Sequence, residues 1–316
     1  MEGPESSTDC LPNEGFDLLA CRHGIELTQQ RSSWAPNTGD SAPHLRIAKS
    51  CWLPRDLMAD NSGPGQNGRV AAGQSGSRGF GGVSSGVWCN DASAGMAVRL
   101  AGLGFDWVCL DMQHGRYSRN DIIDVARGFP SGLPQLVVRV PSCDFTAIGG
   151  ALDAGARAVI VPQVESATQA RRAVSATFYP PVGYRSWGPL SRIWGGKTLT
   201  ADEANSSVTC AVMIESAAAL MAVEEIAATP GVGQLFVGPY DLSLSLGTSV
   251  PALLDDDSDA SPLARIVQTA AAYGLSVGGF AGTPEIAMRF RERGITCVAV
   301  ATDLWITAEG ARTALR

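Results

Sequence analysis

The chain has 316 residues, 45% hydrophobic and 17% charged, with 24 basic against 31 acidic side chains and a formal net charge of −7. That apolar fraction excludes wholesale disorder, and the acidic balance excludes attachment to nucleic acid or an anionic membrane surface by bulk positive charge. Length alone allows two domains, or one large domain with a tail.

Residues 1–60 carry no sustained period of 2 or 3.6, and nine of the 26 residues from 61 to 86 are glycine. Such composition reads as a linker with little to bury before it, so residues 1–82 are expected to form a poorly ordered extension. The start, MEGPESSTDC, has neither a basic nor an apolar signal region, and no stretch reaches 18 consecutive apolar residues. The expectation is a soluble, cytoplasmic protein. The eight cysteines contain no C-x-x-C pair and are too sparse for a disulfide scaffold; Cys109, Cys210 and Cys297 sit in apolar runs and read as small buried hydrophobes.

From Val83 onward, short apolar runs alternate with amphipathic stretches. The runs are Val83–Cys89, Trp107–Asp111, Gln135–Val140, Ala158–Pro162, Thr209–Ile214, Gln234–Val237, Leu275–Phe280 and Thr296–Ala301. Ser166 with Gln169 predicts a capping box, and Thr283-Pro284 predicts an N-cap followed by proline, in a helix closed by Gly294. Eight strands alternating with eight helices over residues 83–316 predict an α/β fold, a closed (β/α)8 TIM barrel. The competing open, doubly wound sheet usually carries G-x-G-x-x-G after its first strand, and none follows Cys89.

Chemistry in such barrels sits where the strands end, so the residues closing each run are the candidates. The second run closes in Asp111-Met112-Gln113-His114 and the third in Arg139; Glu215 follows the fifth, and Gly238-Pro239-Tyr240-Asp241 follows the sixth. His114 is the one histidine of the barrel region and the natural group to titrate near neutral pH, unless it is a surface residue. Glu215 and Asp241 are hard oxygen donors suited to Mg²⁺ or Mn²⁺, although Asp241 could instead cap a helix. Arg139 has the planar fork that fits a carboxylate, with a structural salt bridge as the alternative. The loop from Tyr179 to Pro189, which contains Arg185, has the length and composition of a lid or a subunit contact. Nothing local distinguishes Asp153. The run Asp255-Asp256-Asp257-Ser258-Asp259 reads as a solvated acidic loop.

Gly104-Phe105-Asp106-Trp107, leading into Asp111-Met112-Gln113-His114-Gly115, resembles the HpcH/HpaI aldolase family. Val138-Arg139-Val140-Pro141, Tyr179-Pro180-Pro181 through Arg185-Ser186, Ile214-Glu215-Ser216 and Gly238-Pro239-Tyr240-Asp241-Leu242-Ser243 agree in order and spacing. The resemblance covers roughly residues 84–310. It implies a class II pyruvate aldolase, commonly hexameric, that cleaves or forms 4-hydroxy-2-keto acids through a pyruvate enolate with a divalent cation (Mg²⁺, Mn²⁺ or Co²⁺). It implies Glu215 and Asp241 as metal ligands, His114 as the base, Asp153 as its acidic partner and Asp111 as a nearby acid. For the substrate it implies Arg139 on pyruvate, with Gln113, Gly238, Pro239 and Arg185 as further contacts, in a homo-oligomer (a trimer or hexamer). One departure is Gln113, where several family members have glutamate.

Composition separates the two ways of stabilising an enolate. An imine needs a lysine at a strand end, yet lysine occurs only at Lys49 and Lys197, and Lys197 falls in the long loop after Trp194-Gly195-Gly196. A metal Lewis acid is therefore expected. Alternatives are a decarboxylase of oxaloacetate resembling macrophomate synthase, a citrate lyase β-type thioester cleavage for which no basic cluster is evident, and a non-catalytic barrel that binds a keto acid.

Overall fold

A computed structural model describes residues 80–130, 134–190 and 197–316. Eight strands, β1 (Ser84–Cys89), β2 (Trp107–Asp111), β3 (Gln135–Arg139), β4 (Ala158–Val161), β5 (Thr209–Ile214), β6 (Gln234–Val237), β7 (Ser276–Phe280) and β8 (Cys297–Thr302), close in chain order into one parallel barrel. Each strand end falls within one residue of its predicted run, because an apolar β-branched segment bounded by Gly, Asp or Ser leaves few other solutions. Helices in the crossovers wrap the outside.

Alternation along the strands sorts side chains to two sides. Trp88, Trp107, Cys109, Val137, Ile160, Ala211, Met213, Phe236 and Ala299 form the buried interior of the barrel. Their neighbours Val108, Leu110, Val138, Val159, Val212 and Leu235 face outward into a larger shell shared with the helices. Two residues beyond the last interior position of β2, β3, β5 and β6 stand Asp111, Arg139, Glu215 and Gly238. The period of 2 that fills the core thus delivers these four to the mouth.

The interior is tight enough to dictate glycine. A Cβ on Gly86 would lie 2.1 Å from the Trp107 ring, so β1 can pass this indole only as glycine. At the floor, Phe80 meets Trp107 edge-on (centroids 5.3 Å apart) and stacks on Phe236 (6.2 Å), while its N–H donates to the Gln135 side chain (2.9 Å). The barrel's packing therefore includes Phe80, three residues ahead of Val83; residues 1–79 of the expected extension lie outside the described residues. Ser166 accepts from Gln169 N–H as expected, but the Gln169 carboxamide accepts from Glu165 N–H, one residue beyond a standard box. Thr283 caps its helix, proline follows it, and Gly294 adopts φ +84° just after the C-cap.

Gly86→Ala should lower stability by about 3 kcal/mol, the upper end of ordinary overpacking, because the clash is with an immobile indole rather than a flexible side chain. Chemical denaturation of the full chain checks this; an unchanged midpoint would contradict the packing described.

Candidate active site

Asp111 organises the mouth. Strand register sets its Cα directly beside that of Arg139, and the guanidinium donates to both carboxylate oxygens, Nε to Oδ1 at 2.8 Å and Nη2 to Oδ2. Four further donors converge on the same carboxylate: Trp88 Nε1 (3.2 Å), Asn90 Nδ2 (3.3 Å), and the backbone N–H groups of Gln113 (2.9 Å) and His114 (3.2 Å). Burial by itself raises the Asp111 carboxyl, but the Arg139 hydrogen bonds and charge, with the Gln113 N–H and Trp88 indole, hold it below the usual carboxylate range. The Trp88 ring lies 5.0 Å under the guanidinium. Arg139 is thus fixed on one edge and one face, and its Nη1 has no hydrogen-bond partner among the described residues.

Gly115 explains the tight turn after His114. A Cβ there would sit 2.3 Å from the Asp111 carbonyl oxygen, so the loop folds back over Asp111 only with glycine. The turn leaves His114 exposed at the rim and puts Gln113 half-buried, with its Oε1 buried and unpartnered among the described residues.

Across the mouth, Glu215 is 7% exposed, and its Oε1 accepts the Gln163 N–H at 2.6 Å. Gln163 holds φ +56°, a left-handed backbone uncommon outside glycine, which aims that N–H at the carboxylate. Burial raises the Glu215 carboxyl most; the Gln163 N–H opposes this, the Asp241 charge adds to it, and Arg139 and His114 lower it. Asp241 lies in the first turn of the helix Pro239–Ser245, whose N-cap is Gly238 and which has no side-chain cap hydrogen bond. Asp241 is therefore not the helix cap. A Cβ at Gly238 would come within 2.9 Å of Glu215 Oε2, so glycine there leaves that oxygen open. Among the described residues no group of three or more metal-capable side chains occurs. Two adjacent carboxylates, one buried and raised by the other, nevertheless fit a hard divalent cation that keeps water and substrate as its remaining ligands.

Asp153 and Arg185, expected in this site, do not join it within one chain. Asp153 lies in the last turn of the helix Phe145–Ala154, which runs back against the strands and ends where β4 begins, at the opposite end of the barrel. There it pairs with Arg185 (2.8 Å), whose guanidinium lies over the Tyr179 ring at 4.5 Å. The loop from Tyr179 sits between a helix C-terminus and β5, so it is no lid over its own mouth. Lys197 borders the same cavity of about 460 Å³ as Asp153, Arg185 and Trp187, away from the strand ends.

Trp88, Asn90, Gln163 and Asp303, whose carboxylate accepts the Asn90 N–H from behind the site, were missed by sequence reasoning. Trp88 and Asp303 were within reach, because they lie in or just after β1 and β8, whose closing residues carry the same positional logic as the strands that were read. Gln163 contributes a backbone N–H and a strained φ, which no residue-type pattern reveals.

A parallel barrel that gathers an acid-held arginine and two carboxylates at its strand ends has the layout of a barrel enzyme's active site. Residues 84–309 match the family model "HpcH/HpaI aldolase/citrate lyase". The chain is 39% identical over 225 residues to a 2-dehydro-3,6-dideoxy-6-sulfogluconate aldolase of Pseudomonas putida, covering 69% of this chain and 86% of that protein. It is 38% identical to a hydroxypyruvate/pyruvate aldolase of Paraburkholderia phytofirmans, covering 73% and 91%. The crystal structure of an HpcH/HpaI aldolase/citrate lyase family protein from Burkholderia cenocepacia superposes with a TM-score of 0.67 at 34% identity, over 74% of this chain and 93% of that one. The chain belongs to the HpcH/HpaI aldolase/citrate lyase family and is a carbon–carbon lyase of the aldolase type.

The Asp111 carboxyl lies lower in the folded chain than its ordinary 3.8, so the pair contributes stability above about pH 4 and loses it as pH falls through the folded value. The melting temperature of the wild type should therefore drop more steeply below pH 4 than that of Asp111→Asn. Parallel slopes would contradict the pairing.

Proposed function

We propose that the protein cleaves 4-hydroxy-2-keto acids to pyruvate and an aldehyde, and that it catalyses the reverse addition. The observation that supports this best is the opposition, across one mouth, of a fixed guanidinium whose Nη1 has no partner among the described residues and a carboxylate pair, Glu215 buried and Asp241 exposed, with one histidine at the rim. The first suits the carboxylate and 2-keto oxygen of pyruvate. The second suits a divalent cation, Mg²⁺, Mn²⁺ or Co²⁺, held by Glu215 and Asp241.

When bound, that cation supplies Lewis acidity toward the 2-keto oxygen. Arg139 binds the keto-acid end through Nη1 and stabilises the charge that develops there, while Asp111 and Trp88 keep its planar group from turning. His114 takes the proton of the 4-hydroxyl. The C3–C4 bond then breaks, its electron pair moves into the 2-keto group to give the enolate, and the aldehyde leaves. Proton delivery to C3 completes pyruvate. Gln113 Oε1, an acceptor without a donor among the described residues, takes a hydrogen bond from a substrate hydroxyl. Gly238 and Pro239 line the Glu215 side and admit the keto acid close to the backbone.

Asp153 cannot reach the His114 of its own chain, so its role as partner of that histidine requires a second copy. We place the Asp153–Arg185 end of one subunit against the mouth of another in a homo-oligomer. The exposed aromatic side chains of Tyr184 and Trp187 beside that end support this contact. A reducing compartment such as the cytoplasm suits the free thiols of Cys89, Cys109, Cys143, Cys210 and Cys297, all raised by burial.

A coupled assay of pyruvate release from a panel of 4-hydroxy-2-keto acids tests the reaction. Chelator should abolish release and added Mn²⁺, Mg²⁺ or Co²⁺ restore it, whereas borohydride with substrate should leave activity intact; a covalent borohydride adduct would overturn the scheme. His114→Ala should lose about 100- to 10,000-fold in kcat, the range for a lost general base. Mixing inactive His114→Ala with inactive Asp153→Asn should restore activity through hybrid oligomers. Failure of every mixture to recover, with hybrids shown by mass spectrometry, would return both residues to one chain.

A further inference from the structure

A buried carboxylate that the proposed mechanism does not use lies directly behind the Asp111 hub. Asp303 opens the helix Asp303–Ala314 and is 3% exposed. Both its oxygens accept the Asn90 N–H (3.0 Å each); Oδ2 also accepts from Asp91 N–H (2.9 Å) and Oδ1 from Leu304 N–H (2.8 Å). Among the described residues no cationic side chain pairs with it. Its charge is met by backbone donors and by the helix start, where an anion is favoured. A carboxylate with that many fixed donors has one orientation, and it clamps the loop after β1 to the end of β8.

The clamped residue reaches the active site. Asn90 donates from Nδ2 to Asp111 Oδ2, the oxygen that also receives Arg139 Nη2 and the Trp88 indole. Its carbonyl accepts Arg116 N–H at 2.8 Å, and a Cβ on Gly115 would lie 3.1 Å from that carbonyl oxygen. The loops after β1 and β2 are therefore in direct contact. A shift of Asn90 would change the donors on Asp111 and, through it, the plane of the guanidinium.

We propose that Asp303 is a positioning residue of this active site: by fixing Asn90 it sets how Asp111 holds Arg139 and how Arg139 is presented to a keto acid. The proposal rests on the reading of Arg139 as the substrate-binding group. It differs from a purely structural role because it names one route, Asp303 to Asn90 to Asp111, along which changes should not be independent.

The test uses the full chain, its metal-loaded form for kinetics, and the variants Asp303→Asn, Asn90→Ala and their combination. Trp88 gives a local readout without turnover: its indole N–H resonance, in protein labelled with ¹⁵N-tryptophan and assigned by its loss in Trp88→Phe, reports the hydrogen bond to Asp111. Both single variants should move that resonance. Each should lower kcat/KM for pyruvate release by about tenfold, the scale of one lost hydrogen bond to a charged group, and the combination should fall no further than Asp303→Asn alone. Asn90→Ala leaves the Asp303 clamp on the backbone intact, so it keeps the test open if Asp303→Asn fails to fold. A Trp88 resonance unmoved by Asn90→Ala, or losses that multiply to about 100-fold in the combination, would overturn the proposal. A shifted resonance with Arg139→Lys retaining full kcat/KM would instead show that the reading of Arg139 had failed, taking the catalytic claim with it.

Discussion

The ion pair between Asp111 and Arg139 is the constraint around which the mouth is built. A guanidinium at the end of a barrel strand loses most of its hydration, and only an anion fixed in the matching plane can offset that loss. Asp111 qualifies because it is itself over-supplied with donors: an indole, a carboxamide, two backbone N–H groups and the arginine. Glycine at 115 and the turn through His114 exist in their present form because the chain must wrap this carboxylate closely. The same pair decides where substrate can go. With Nε and Nη2 engaged and one face on Trp88, Nη1 is the part of the group left without a hydrogen-bond partner among the described residues.

Opposite this edge the electrostatics reverse. Glu215 is buried beside Asp241, and the strained backbone of Gln163 gives it one donor, which does not balance two carboxylates. A cation would relieve that repulsion, whereas Arg139 and His114 relieve it only in part. The mouth is therefore polarised, with a fixed positive edge on the β2–β3 side and an anionic pair on the β5–β6 side. The keto acid proposed as substrate, with its negative carboxylate and polarisable carbonyl, would meet both halves.

Much of this was legible from the residues. The strands could be read because each is an apolar run punctuated at both ends, and the period of 2 that put Trp107 and Cys109 inside also put Asp111 inside. Arg139 could be read as the close of the third run, Glu215 as the residue after the fifth, and Asp241 from the segment that follows the sixth. What could not be read depends on direction rather than type. The family resemblance pointed to Asp153, and to Arg185 through the motif that carries it, yet the helix carrying Asp153 runs antiparallel to the strands and delivers it to the far end, where Arg185 meets it. Asp303 resembles an ordinary helix-start acid in the sequence; its reach to Asn90 spans the closure of β8 on β1, which only the assembled barrel displays. Phe80 lay within a glycine-rich segment whose average composition concealed one residue that plugs the floor.

The central claim is that this mouth stabilises the enolate of pyruvate irrespective of the aldehyde. Exchange of the pyruvate methyl protons with solvent deuterium, followed by proton NMR, tests it without any aldehyde present. The account predicts exchange that requires the divalent cation and falls by about 100-fold or more in Arg139→Ala, the scale of one lost electrostatic donor. Fully metal-loaded, folded protein that exchanges those protons no faster than buffer would contradict it.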